Sequence, residues 1–217
     1  MRIALIHALK HSVAPIEEAF GRLWPEARLA NLLDDSLSAD LARDGALTPA
    51  MTERFLSLAR YAKRCGADAI LFTCSAFGPC IEACARELAP MPVLKPNEAM
   101  IEEAVALVGR TGRIGLLATF APMLESMPAE FAAAAPEVFV VPKLAEGALA
   151  ALDRGDVAAH DRAAAAAALS LEHCDAIALG QFSLARAAPL VAEASGRTVL
   201  TTPDSAVHKL RRLLGAG

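Results

Sequence analysis

Short apolar runs alternate along this chain with longer segments in which apolar residues recur every three or four positions. The runs fall at residues 2–7, 27–32, 68–73 and 91–94, and again at 113–118, 137–141, 175–180 and 198–201. Each run has strand length and each intervening segment has room for helix, so the pattern predicts repeated βα units around parallel strands. The segment opening at Thr48 shows how one helix is specified. Thr48 can cap it, Pro49 suits the first helical position, and Gly66 can close its C-terminus. Between them Met51, Phe55, Leu58, Ala62 and Cys65 form one stripe, which predicts a buried face. Pro203-Asp204 opens a last helix carrying Val207, Leu210 and Leu214, and Ala163 to Ala168 lie among strong helix formers that predict a closely packed helix.

The pattern occurs twice. Arg2-Ile3-Ala4-Leu5-Ile6 is echoed by Arg113-Ile114-Gly115-Leu116-Leu117, and Asp68 to Ser75 by Asp175 to Phe182. Val93 to Ala99 is likewise echoed by Val199 to Ala206, all three pairs in the same order at offsets of about 106 to 111 residues. Three matches in register predict two related halves. The expected organisation is a first α/β half over residues 1–96 and a second over 97–203, with the C-terminal helix 204–217 packing back on the first. No Ser/Gly-rich linker separates the halves, so a crevice between them is the expected place for a ligand.

Composition narrows the functional classes. The 217 residues are 55% hydrophobic and carry a net charge of −4, without the basic face that nucleic acid requires. No apolar run approaches the roughly 18–20 residues that span a bilayer, and the first strand is too short for a signal-peptide core. A cytoplasmic protein with neither nucleic-acid nor membrane partners is the expectation. Its five cysteines predict reduced thiols rather than a disulfide framework. Cys80 and Cys84 lie one helical turn apart, but no paired CxxC and no histidine at ligand spacing accompany them, so no metal is expected. Cys65, Cys80, Cys84 and Cys174 read as small apolar fillers.

Cys74 differs from the other four by position. It follows the strand 68–73 and precedes a helix that Ser75 or Gly78-Pro79 can initiate, where backbone N–H groups and the helix dipole favour an anion. The same field predicts a thiol more acidic than a free one. The alternative is a further buried structural thiol; strand-end position, helix N-terminus and repeat together favour function. At the corresponding place in the second copy stands Gln181, an amide that can hydrogen-bond a carboxylate or enolate but cannot act as a general acid or base.

Three stretches carry a resemblance over essentially the whole chain: Phe72-Thr73-Cys74-Ser75-Ala76-Phe77-Gly78, Arg113-Ile114-Gly115-Leu116-Leu117-Ala118-Thr119 and Leu179-Gly180-Gln181-Phe182-Ser183. In these the chain resembles the aspartate/glutamate racemase superfamily, which includes hydantoin racemases, maleate isomerases and arylmalonate decarboxylases. The resemblance implies two pseudo-symmetric halves, each a short parallel sheet flanked by helices, with the active site in the crevice between them. It also implies catalysis without metal, pyridoxal phosphate or any other cofactor. In the racemases one cysteine at each strand end works on opposite faces of a substrate carbon, and the first of these carries over to Cys74. With Gln181 at the second position, the implied enzyme has a single catalytic cysteine and acts beside the carboxylate of a small acid, as a racemase or isomerase. A decarboxylase of a substituted malonate and a non-catalytic carboxylate-binding descendant are the alternatives. Members are often dimers, which leaves a homodimer open.

Further polar residues fall near the same predicted sheet edges. His7 stands at the end of the first strand, with Lys10, His11 and Ser12 in the loop beyond it. His7 is the candidate for the missing proton donor, since histidine alone titrates near neutrality without perturbation; a structural histidine satisfied by a backbone partner is an equal alternative. Backbone N–H groups at Ser75-Ala76 and Phe182-Ser183, with the Thr119 hydroxyl, are the candidate donors to a carboxylate. Ser12 is a further candidate for substrate binding. His160, His173 and His208 read as solvated, and Asp34-Asp35 as a solvated turn in preference to a site for a cation or an amine.

Overall fold

The computed structural model describes residues 1–216. It divides into two compact units, Met1–Asn97 with the segment from Ala206 onward, and Glu98–Ser205.

The first unit is built on four parallel strands: β1 (Arg2–His7), β2 (Arg28–Leu33), β3 (Ala69–Phe72) and β4 (Val93–Leu94), in the order β2-β1-β3-β4. Helix α1 (Val13–Leu23) links β1 to β2, α2 (Leu37–Asp44) and α3 (Pro49–Arg64) link β2 to β3, and α4 (Gly78–Leu88) links β3 to β4. The second unit repeats the scheme after α5 (Glu98–Val108). Its strands β5 (Arg113–Ala118), β6 (Phe139–Leu144), β7 (Ala176–Leu179) and β8 (Thr198–Thr201) take the order β6-β5-β7-β8, again parallel. Helix α6 (Ala121–Ala134) links β5 to β6, α7 (Ala148–Asp153) and α8 (Val157–Ala168) link β6 to β7, and α9 (Ala188–Ser195) links β7 to β8. Helix α10 (Thr202–Leu213) begins in the second unit and ends in the first, where Arg211 Nη1 donates to the Leu23 carbonyl at 2.8 Å. No helix among the described residues is long and apolar enough to cross a membrane.

Strand order fixes where a ligand can sit in such a sheet. From β1 the chain moves outward to β2, then crosses back to place β3 on the other side of β1. Connections leave β1 and β3 in opposite directions, which opens a crevice beyond their carboxyl ends. The second unit has the same switch between β5 and β7. Every position of β3 and of β7 is buried, as strands covered by helices on both faces must be. Each repeat opens with an acidic residue for a reason the sheets make plain. Asp68 Oδ2 accepts from the Arg2 N–H and Asp175 Oδ2 from the Arg113 N–H, both at 2.7 Å, satisfying the first donor of the neighbouring strand.

Apolar packing follows the strands. In the first unit Phe55 stacks on Phe72 with ring centroids 5.3 Å apart and packs at a tilt against Phe77 at 4.9 Å, in one cluster with Ile81, Cys80 and Cys84 of α4. In the second unit α8 and α9 cover Leu117, Ile177 and Leu179 on one sheet face, and α5 and α6 cover Ile114, Leu116 and Ala178 on the other.

Three local expectations change. Strand β6 runs over Phe139–Leu144 rather than 137–141 and includes Pro142; β6 is an edge strand, where the missing N–H of proline costs no ladder bond. Helix α3 is capped by Thr48 as expected, its hydroxyl oxygen accepting from the Met51 N–H at 3.2 Å. Its buried stripe, however, is Met51, Phe55, Ala59 and Ala62, with Leu58 only partly buried. Cys65 lies past the last turn and is exposed, so it is not a core filler, unlike Cys80, Cys84 and Cys174.

Candidate active site

The two switch points are bridged in different ways, and the difference starts from one glycine. In the first unit the Thr73 N–H donates to the Ile6 carbonyl (3.1 Å); in the second the Gly180 N–H donates to the Leu117 carbonyl (2.9 Å). Thr73 and Gly180 therefore hold equivalent places. A Cβ at Gly180 would stand 2.9 Å from Met127 Sδ and 3.3 Å from Leu116 Cδ1, so a threonine there would require the Met127 side chain to shift. Cys74 and Gln181 follow, each the second residue past its strand and each at the head of a 3₁₀ turn, Ser75–Phe77 and Phe182–Ala187.

Cys74 continues the extended backbone of β3, with φ −131° and ψ 121°. Side chains alternate across a sheet, so Cys74 shares a face with Phe72 and, through the β1 register, with Ile6. Leu37 and Phe55 close over that face, and the space they leave beside Cys74 does not admit a water molecule. Burial in these surroundings pushes the Cys74 thiol above its ordinary pKa, and the N–H of Ala76, which donates to the sulfur, only partly offsets this. The expectation of an acidified thiol is thus corrected. The turn supplies the anion-stabilising donor, but lost solvation outweighs it. Alkylation by iodoacetamide checks this directly. At pH 7 the exposed Cys65 is modified first, and the Cys74 rate rises with pH to a midpoint above that of a free thiol. Selective modification of Cys74 at neutral pH would show that the helix terminus dominates after all.

His7 closes β1 and is fully buried. Its Nδ1 lies 2.9 Å from the Thr73 hydroxyl and its Nε2 3.0 Å from Asn31 Oδ1, while Asn31 Nδ2 donates to Glu17 Oε1 at 2.7 Å. Desolvation depresses the His7 pKa below its ordinary value; the Asn31 hydrogen bond and the Glu17 charge pull the other way. By strand alternation His7 and Thr73 occupy the face opposite Cys74. A neutral ring committed at both nitrogens on the other face is poorly suited to donate a proton, which counts against the role expected of His7. Its partners are side chains rather than backbone.

In the second unit Gln181 Oε1 accepts from the Thr119 N–H at 2.6 Å and from the Thr119 hydroxyl at 3.0 Å. This bond crosses the β5–β7 switch and fixes the amide orientation, because only an oxygen can accept both donors. The two N–H groups of Nε2 have no protein acceptor among the described residues. The Thr119 hydroxyl, expected from sequence to serve a carboxylate, instead donates its proton to Gln181. Ala76 is similarly diverted, its N–H going to Cys74. Phe182 and Ser183, the other backbone candidates, precede the first bond of their turn, Leu184 N–H to the Gln181 carbonyl at 3.1 Å. Ser75 lies in the turn after Cys74, and Ser12 is buried at the start of α1.

Several other residues settle into structural places. Asp34 and Asp40 pair with Arg54, which leaves Asp34 no part as a free cation ligand. His160 is fully buried, not solvated, on a helix that packs against α9 and the turn after Gln181, and its Nδ1 lies 2.8 Å from Asp161 Oδ1. Asp161 in turn accepts from Arg186 Nε at 3.0 Å, tying that turn to α8. Glu17, Asn31 and Thr73 escaped the sequence reading. A polar Asn31 inside the apolar run 27–32 was the only available signal.

A sequence profile of the family described as Asp/Glu/Hydantoin racemase matches residues 16–210. No sequence among curated proteins matches the chain. Solved structures do. An aspartate racemase homologue from Pyrococcus horikoshii is 16% identical, with 99% of each chain covered and a TM-score of 0.74. Glutamate racemase isoform RacE1 from Bacillus anthracis is 15% identical over 99% of this chain and 81% of its own, at a TM-score of 0.71. Allantoin racemase from Klebsiella pneumoniae is 19% identical over 100% and 89%, at 0.70. At these identities the likeness is one of fold.

Proposed function

Since the chain belongs to the Asp/Glu/hydantoin racemase family, we propose that it is a cofactor-independent enzyme acting on the carbon next to the carboxylate of a small acid. Racemisation or isomerisation is the reaction class, with Cys74 the single thiol that moves a proton and Gln181 the group that orients the substrate. One observation carries the reading. Cys74 and Gln181 stand at the same place in two sheets of the same topology, and only Cys74 can gain or lose a proton. Gln181 supplies what a carboxylate or an enediolate needs instead, two fixed N–H donors on a locked amide. Phe182 and Ser183 add backbone donors beside it.

The protonated state of Cys74 favours decarboxylation of a substituted malonate as the second reading. There the C–C bond to one carboxylate breaks, carbon dioxide leaves, and the electron pair passes into an enediolate. The Cys74 S–H then protonates the carbon, and solvent restores the thiol. No base is required. A panel of α-substituted acids and malonates in deuterium oxide separates the readings by NMR. Deuterium entering at the α-carbon of a recovered monoacid supports racemisation or isomerisation, and carbon dioxide release with one deuterium incorporated supports decarboxylation. If acids bind and neither occurs, the chain is a carboxylate-binding descendant and the enzymatic proposal fails.

A further inference from the structure

The chain Glu17–Asn31–His7–Thr73 joins α1, β2, β1 and β3, and a direction can be assigned to every bond in it. The Glu17 carboxylate accepts from Asn31, so Asn31 turns its Nδ2 outward and its Oδ1 inward. Oδ1 also only accepts, so the Nε2 of His7 carries the ring proton. Nδ1 is then a bare lone pair, and it takes the Thr73 hydroxyl at 2.9 Å in preference to the Ile6 carbonyl at 3.5 Å. The orientation of an exposed carboxylate thereby reaches the residue that precedes Cys74. Register explains why these residues meet. Leu5 pairs with Asn31 and Ile6 with Phe72, which sets Asn31, His7 and Thr73 on one face of three adjacent strands.

We propose that Glu17 and Asn31 are positioning residues for Cys74, fixing the tautomer of His7 so that it pins Thr73 and the strand end that follows. The inference rests on the catalytic reading of Cys74 but can be tested without turnover. Glu17 is exposed, so Glu17→Leu leaves the core intact while removing the acceptor that orients Asn31. Asn31 is then free to present Nδ2 to the ring, which favours the opposite tautomer. In ¹⁵N spectra of histidine-labelled protein, wild type shows a single His7 tautomer with the proton on Nε2. Glu17→Leu shows a mixture, and the rate of Cys74 alkylation at fixed pH changes about fivefold, the scale of one net hydrogen bond. Glu17→Gln, which keeps an oxygen acceptor, restores most of both. An unchanged tautomer in Glu17→Leu overturns the proposal, as does unchanged Cys74 reactivity. Absence of turnover on every acid tested, with both signals as expected, counts against the enzymatic reading and leaves the positioning chain standing.

Discussion

Cys74→Ala is expected to lower turnover by about 10³-fold or more while weakening carboxylate binding no more than a few-fold. The first figure follows from the role. A positioned side chain that transfers a proton contributes about 10²–10⁴ in rate, and neither Gln181 nor His7 is suited to replace this one. Gln181 does not titrate, and His7 is neutral, committed at both nitrogens and on the far face of the sheet. The second figure follows from the donors that remain. Gln181 Nε2 and the N–H groups of Phe182 and Ser183 are untouched, and the Ala76 N–H is released from the sulfur it now serves. A thiol is itself a weak hydrogen-bond donor, so its loss removes little affinity. Steady-state rates with the acid that responds in deuterium oxide, and calorimetry with the same acid, measure the two quantities separately. Turnover within tenfold of wild type would move the chemistry to another residue. Loss of binding in proportion to rate would make Cys74 a binding group instead.

The repeated architecture was readable because its cause is local. Apolar runs of strand length and one acidic residue before each central strand recur in both halves, and Asp68 and Asp175 turn out to cap the neighbouring strands with the same bond. The place of Cys74 was readable for the same reason, since a strand end followed by a turn is a short-range pattern. Its acidity was not. The groups that strip solvent from the sulfur, Leu37 and Phe55, come from α2 and α3 and reach it only through the packing of the first unit. Thr119 and Gln181 are 62 residues apart, and nothing in either segment signals that one spends both its donors on the other. Cys65 was misjudged because a helical stripe extrapolated past the last turn assigns a face to a residue that is no longer in the helix. His160 was misjudged in the opposite sense, because an alanine-rich helix carries too weak a stripe to show which side is covered.

Gln181→Glu is expected to raise the dissociation constant for the carboxylate about 10²-fold or more, with little loss of fold. The replacement is nearly isosteric, and one carboxylate oxygen can keep both bonds from Thr119. The change falls on the other side of the group. Where Nε2 presented two N–H donors, the variant presents a second acceptor with negative charge. The substrate carboxylate loses a charge-assisted hydrogen bond of about 1.5–3 kcal/mol and gains a repulsion instead. Thr119→Val isolates the other half of the arrangement. It removes the 3.0 Å bond to the hydroxyl but keeps the 2.6 Å bond to the backbone N–H, so the amide retains its orientation and affinity falls only a few-fold. The ordering discriminates between roles. If Gln181 donates to the substrate, Gln181→Glu is far more damaging than Thr119→Val. Equal and small effects from both would mean that the Thr119–Gln181 bond merely ties β5 to β7, and the carboxylate would have to be held by the backbone of the turn alone.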